Sequence, residues 1–176
     1  MSKVLGVSLT LLFVTLGSVT AYMLWQMFGW FVGVQVVAIL VIAAYGEHYV
    51  SGRGYYHYTP INGLFIGRVP AYIPFMWVFV IQATYLAGLL SGLIPEIAIL
   101  TSGAMGLCVD FLFVEPYFSR TKGFWLWKQV DRGYFAFLPP HLNRFTAPAG
   151  NYLVWLGFPA ILNWFLAAMV LIARLL

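Results

Sequence analysis

The sequence predicts an all-α fold: a polytopic integral membrane bundle of about five transmembrane helices. Three observations carry that prediction. Of 176 residues, 62% are hydrophobic and only 8% charged, against roughly 45–50% and about 25% in soluble domains. Five apolar stretches reach the ~20 residues that a spanning helix needs. The basic residues sort almost entirely to one side of a five-span topology. With a mean hydropathy of +0.90, so few charges could not cover the surface of a water-soluble fold. The composition also excludes a disordered tail. A single cysteine, Cys108, excludes a disulfide scaffold. A net charge of +4 would suit nucleic acid in a soluble protein, but in a membrane chain it reports loop orientation. No nucleic-acid partner is expected.

The spans fall near 4–24, 29–50, 70–93, 95–116 and 148–174, in one transmembrane domain covering 1–176. The first imitates a signal peptide, with Lys3, an apolar run and the small-residue group Ser18–Ala21. It is expected to be retained as a span. The link around Trp25–Gly29 is very short and implies an antiparallel helical hairpin. Pro70 and Pro95 sit where helices tend to start, because a first-turn proline gives up no intrahelical hydrogen bond. Five crossings gather Lys3, Arg53, Arg68, Arg120, Lys122, Lys128, Arg132 and Arg144 on one face, leaving Arg174 alone on the other. The positive-inside rule makes the rich face cytoplasmic, with the N-terminus inside and the C-terminus outside. The expected location is the cytoplasmic membrane of a prokaryote. Two cytoplasmic loops, about 51–69 and 117–147, are rich in Gly, Pro, Tyr, Trp and Phe. The second is long enough to cap a site, and a short interfacial helix is expected around 123–130, anchored by Trp125 and Trp127. Gly103 to Gly106 is a small-residue face suited to helix packing.

Charge inside a span costs roughly 2.5–3.5 kcal/mol at the helix centre, so the five acids repay attention. Asp131 lies in a loop, and Glu96 complements the dipole of a helix that starts at Pro95. Glu47, Asp110 and Glu115 all fall near the cytoplasmic ends of the second and fourth spans, at similar depth. On a regular helix Asp110 and Glu115 point about 140° apart and cannot face one cleft unless Pro116 marks an unwound end. The alternative is that each acid pairs separately with Arg53, Arg68 or Arg120. Three histidines, His48, His57 and His141, lie on the same side, but their spacing matches no metal-ligand pattern and no metal is expected. His57 is expected to hydrogen-bond at the interface or to orient an acid. An aromatic fraction of 19% beside buried acids suits carbocation chemistry, because ring faces stabilise cations.

Several motifs carry a resemblance. Gly46-Glu47-His48 is followed by Gly54-Tyr55-Tyr56-His57-Tyr58-Thr59, then Val69-Pro70 and Ile73-Pro74-Phe75-Met76-Trp77. Asp110 through Glu115-Pro116, Gly123-Phe124-Trp125-Leu126-Trp127 and Asn151 to Trp155 come later in the chain. This order resembles the carotenoid 1,2-hydratase family (CruF type, including bisanhydrobacterioruberin hydratases). In that family a GE motif, G-x-Y-x-Y, VP-x-x-VP-x-x-W, D-x-x-x-D/E-P, G-x-W-x-W and N-x-x-x-W succeed one another. The likeness covers about residues 44–160. Asp110 and Glu115 stand one residue further apart than the family pattern, and the segment between Tyr134 and Asn151 is longer.

The resemblance implies a hydro-lyase that adds water to a terminal C=C of a long polyene. Such a reaction needs a proton donor, a sheltered tertiary cation and a delivered water; burial keeps an acid neutral near pH 7. Asp110 is then the general acid, Glu47 the group that positions water and Glu115 electrostatic support, with the Asp110 and Glu47 roles exchangeable. Tyr58, His57 and Asn151 stand beside the acids, and Trp77, Trp125 and Trp127 line the polyene channel. No cofactor is expected. The expected partners are membrane lipid and the lipophilic polyene, with self-association or membership of a larger membrane complex open. Two other readings fit the same residues: a terpenoid cyclase or isomerase, and a non-catalytic subunit whose acids are ion-paired.

Overall fold

The computed structural model describes residues 2–128 and 147–176. Asp131, Arg132, His141, Arg144 and most of the long loop expected to cap the site lie outside the described residues. Helix α1 runs Ser2–Phe28 and α2 Phe31–Gly52, joined at Gly29, whose φ of 65° closes the hairpin. Helix α3 spans Ile73–Leu90, α4 Pro95–Val109 and α5 Ala149–Leu175. All five are long and apolar enough to cross a membrane, α4 together with its continuation to Thr121. The all-α membrane bundle is therefore observed.

Helix α3 is the axis of the bundle: 61% of its apolar window is buried, against 17% in α1 and 22% in α2. Tyr85, Ile81 and Ile73 on α3 are almost wholly enclosed. The expected small-residue face packs α4 on α5. A Cβ at Gly103 would strike the Leu156 carbonyl, and one at Gly106 would come within 2.7 Å of the Trp155 carbonyl. These glycines bring two backbones together, as small residues do between membrane helices.

Three local expectations are corrected. Pro70 does not open a helix. It pairs with Phe65 in a two-stranded antiparallel turn, β2 Phe65–Ile66 against β3 Val69–Pro70. The first-turn proline of α3 is Pro74. Around 123–130 the described part is not a helix. Trp125–Trp127 forms β4, antiparallel to β1, Tyr56–Tyr58, with Tyr56 opposite Trp127 and Tyr58 opposite Trp125. Each of these strands follows a glycine in the left-handed region, Gly54 at φ 77° and Gly123 at φ 65°, where an L side chain would be strained.

The third correction concerns α4. From Asp110 to Thr121 it continues as a π-helix, with Pro116 inside it. A proline cannot donate to the turn before it and crowds the carbonyl four residues back. The wider i→i+5 turn absorbs that conflict; the Lys122 amide, for one, donates to the Tyr117 carbonyl at 2.9 Å.

Candidate active site

The π-helix changes the geometry of the acids. On an α-helix a five-residue spacing turns two side chains away from each other. In a π-turn, residues five apart close one hydrogen-bonded ring and return to nearly the same face. Asp110 and Glu115 therefore both line one small chamber, together with Glu47 from α2. Asp110 is 1% and Glu115 2% exposed, while Glu47 is partly buried. The chamber holds about 40 Å³, enough for a water or two. Its wall includes Tyr58, Trp77, Trp125, Trp127 and Asn151.

Each acid has its own set of donors. Glu47 accepts from the Tyr58 hydroxyl at 2.8 Å, from Trp77 Nε1 at 3.2 Å and from the Tyr56 hydroxyl. Glu115 accepts from Trp125 Nε1 at 3.1 Å on one oxygen and from Trp127 Nε1 at 2.9 Å on the other. Asp110 accepts from Asn151 Nδ2 at 2.7 Å on Oδ2, while its buried Oδ1 has no hydrogen-bond partner among the described residues. Arg53, one of the cations considered for an ion pair, turns to the Tyr49 hydroxyl at 3.0 Å.

The β1–β4 ribbon supplies four of these donors, and strand alternation explains which. Successive side chains of a strand point to opposite faces. Tyr56, Tyr58, Trp125 and Trp127 face the acids; His57 and Leu126 face away and are exposed. His57 is therefore outside the site that the sequence reading assigned it to. Tyr56, not among the expected site residues, is inside. Period-two spacing in Y-x-Y and W-x-W is the signal that would have identified both. The ribbon is held by Thr59, which donates from its amide to the Phe124 carbonyl at 3.0 Å and from its hydroxyl to Gly123 at 2.6 Å. Buried Asn62 also donates to Phe124 at 2.6 Å and accepts from the Tyr72 hydroxyl at 2.7 Å.

Outside the spans, burial and the Glu47 charge push the Tyr56 and Tyr58 phenols well above their usual range. Both therefore remain donors at physiological pH.

A second cavity, of about 400 Å³, opens between α2 and α5. Ile42, Val50, Val154 and Phe158 make it apolar. It shares Glu47, Tyr56, Trp77, Trp127 and Asn151 with the small chamber. Ring packing stiffens that shared wall, with Trp77 against Trp155 at 5.1 Å and Tyr56 against Trp127 at 4.7 Å. Among the described residues, no group of three His, Cys, Asp or Glu is placed to hold a metal ion.

The description "carotenoid biosynthesis protein" fits residues 5–174, nearly the whole chain. The chain belongs to the carotenoid biosynthesis protein family. A role in carotenoid biosynthesis follows for this family member, in a membrane setting that its five apolar helices match. No curated protein and no solved structure matches the chain.

Proposed function

We propose that this carotenoid biosynthesis protein is a membrane hydratase that adds water across the terminal C=C of a long acyclic polyene. One observation supports the reading above the others. An apolar cavity sized for a chain end and a polar chamber sized for water meet at a wall of carboxylate and aromatic groups. An alkene hydratase needs those two reactants to meet beside its acids: Glu47 stands on the shared wall, and Asp110 lines the small chamber just behind it.

Asp110 is the proton donor in this scheme. Asn151 occupies Oδ2, so a proton on Asp110 belongs on Oδ1, the oxygen without a partner among the described residues. That proton passes to one alkene carbon and leaves a tertiary cation on the other. The faces of Trp77, Trp127 and Tyr56 shelter the cation. A water in the small chamber adds its oxygen to the cation and gives a proton to Glu47, which the Tyr56, Tyr58 and Trp77 donors hold at that chamber. Return of the proton to Asp110 closes the cycle, with one water consumed. Glu115, held by two indoles, supplies negative charge opposite the cation.

The test is expression in a lycopene-producing host, with pigments analysed by mass. A gain of one water that disappears in Asp110→Asn supports hydration. A product of unchanged mass points to cyclisation or isomerisation, and unchanged pigments with well-folded protein remove the catalytic reading.

A further inference from the structure

Two glycines of the large cavity serve neither of the purposes for which a helix ordinarily spends a glycine. Gly46 on α2 precedes Glu47, and Gly150 on α5 precedes Asn151; both line the 400 Å³ cavity. Neither has a positive φ, unlike Gly29, Gly54 or Gly123. Neither brings two backbones together, as Gly103 and Gly106 do. A Cβ at either position would meet no heavy atom within 4 Å among the described residues. Glycine is a poor former of helix interiors, yet Gly46 inside α2 leaves only open space at the cavity, as does Gly150, exposed in the first turn of α5.

We infer that Gly46 and Gly150 are specificity-determining residues that keep open a slot between α2 and α5, through which the tail of an acyclic polyene runs from the site into the bilayer. The inference rests on the hydratase reading for the identity of the occupant. The cavity lies at the small end of the roughly 300–1,000 Å³ range of ligand pockets. It therefore houses a chain end and leaves the rest of a long polyene outside. The helices bounding it are apolar and turn large hydrophobic side chains outward, among them Val41 and Leu153. The chain thus leaves between helices, directly into lipid. At the inner end, Asp110, whose buried Oδ1 has no partner among the described residues, lines the adjoining chamber. A rod-like conjugated chain tolerates no bend around an obstructing side chain, so bulk at the slot discriminates by length.

The experiment compares Gly46→Leu, Gly150→Leu and Gly157→Leu. Gly157 lies on α5 outside the cavity, where a Cβ meets only Ile161 at 3.9 Å. Purified proteins in nanodiscs are mixed with lycopene, and bound polyene is read by its absorbance. Thermal unfolding checks that each variant folds. The expected result is a loss of binding of roughly tenfold or more in the Gly46 and Gly150 variants. Gly157→Leu binds as the unsubstituted chain does, and no variant unfolds earlier. Polyene binding retained in both Gly46→Leu and Gly150→Leu would overturn the slot. If leucine does not fold at either position, Gly→Ala and Gly→Val replace it, and a graded loss with side-chain size is the expected outcome. Binding that follows this pattern without any hydrated product would instead sink the hydratase reading and leave the slot standing.

Discussion

The bundle buries two polar clusters, and they are built on opposite principles. Away from the acids, Thr20 of α1, Gln35 of α2, Gln82 of α3, Ser102 of α4 and Asn163 of α5 form one hydrogen-bonded set, one residue from each helix. Thr20 donates to Gln82 at 2.9 Å, Gln82 to Gln35 at 3.1 Å, Gln35 to Asn163 at 2.9 Å and Asn163 to Ser102 at 3.1 Å. Spare donor capacity goes to the Leu162 and Ile81 carbonyls. Every member is neutral and every one is paired. The acid cluster holds charge-bearing groups and leaves one buried oxygen, Asp110 Oδ1, without a partner among the described residues. A satisfied neutral network fixes how helices register, whereas an incomplete acidic one keeps capacity in reserve for a reactant. On the proposed function, the molecule holds itself together at one cluster and does its chemistry at the other.

That contrast predicts different failures. Asp110→Asn keeps the shape of the side chain and removes the proton that the proposed hydration assigns to it. It should cut hydrated product by roughly 10²–10⁴-fold, the range of a general acid, with no fall in thermal stability. A comparable loss of stability would erase the distinction between the clusters. Gln35→Leu should do the reverse. It strands the Gln82 amide and the Asn163 carbonyl in an apolar interior, at a cost of about 1–3 kcal/mol. Gln35 stands twelve residues from Glu47 on α2, about 18 Å along the axis, so hydration per folded molecule should stay unchanged. Thermal unfolding in bicelles beside a pigment assay reads both.

A third, smaller effect concerns the ribbon. Tyr56, Tyr58 and Tyr72 have phenols raised by burial and by Glu47, so a folded sample should titrate them late, above the ordinary phenol range near pH 10. The sign follows: their contribution to stability is complete below about pH 10 and is lost as pH rises from there toward the raised native values. Ultraviolet titration of tyrosinate should show a late set that shrinks in Tyr56→Phe and Tyr58→Phe.

The spans and the three acids were legible in the sequence because each rests on a large energy. Twenty apolar residues have few other places to go, and a charge within them is costly. The convergence of Asp110 and Glu115 was not legible, because it depends on a π-helix that Pro116 accompanies but whose length no composition rule sets. The neutral network was missed for the opposite reason. Gln35, Gln82 and Asn163 add little to a hydropathy average, and pairing across five helices is long-range information. The ribbon is hidden by its tryptophans: their membrane-anchoring habit suggests a helix, whereas the alternation in Trp125-Leu126-Trp127 is the signal of a strand.

His57 gives the smallest expected effect and the sharpest check on that alternation. It sits between Tyr56 and Tyr58, so proximity in sequence alone would place it beside Glu47. The strand instead turns it to the exposed face, opposite Leu126. His57→Ala should leave hydrated product within about twofold and stability within ~0.5 kcal/mol, as for an ordinary surface substitution. Tyr58→Phe, one residue away, removes a 2.8 Å bond to Glu47 and should cost about 1 kcal/mol of stability, with a loss of product well beyond that of His57→Ala. If His57→Ala proved as damaging as Tyr58→Phe, β1 would not present alternate faces at the site. The ribbon's assignment of donors to acids would then fail with it.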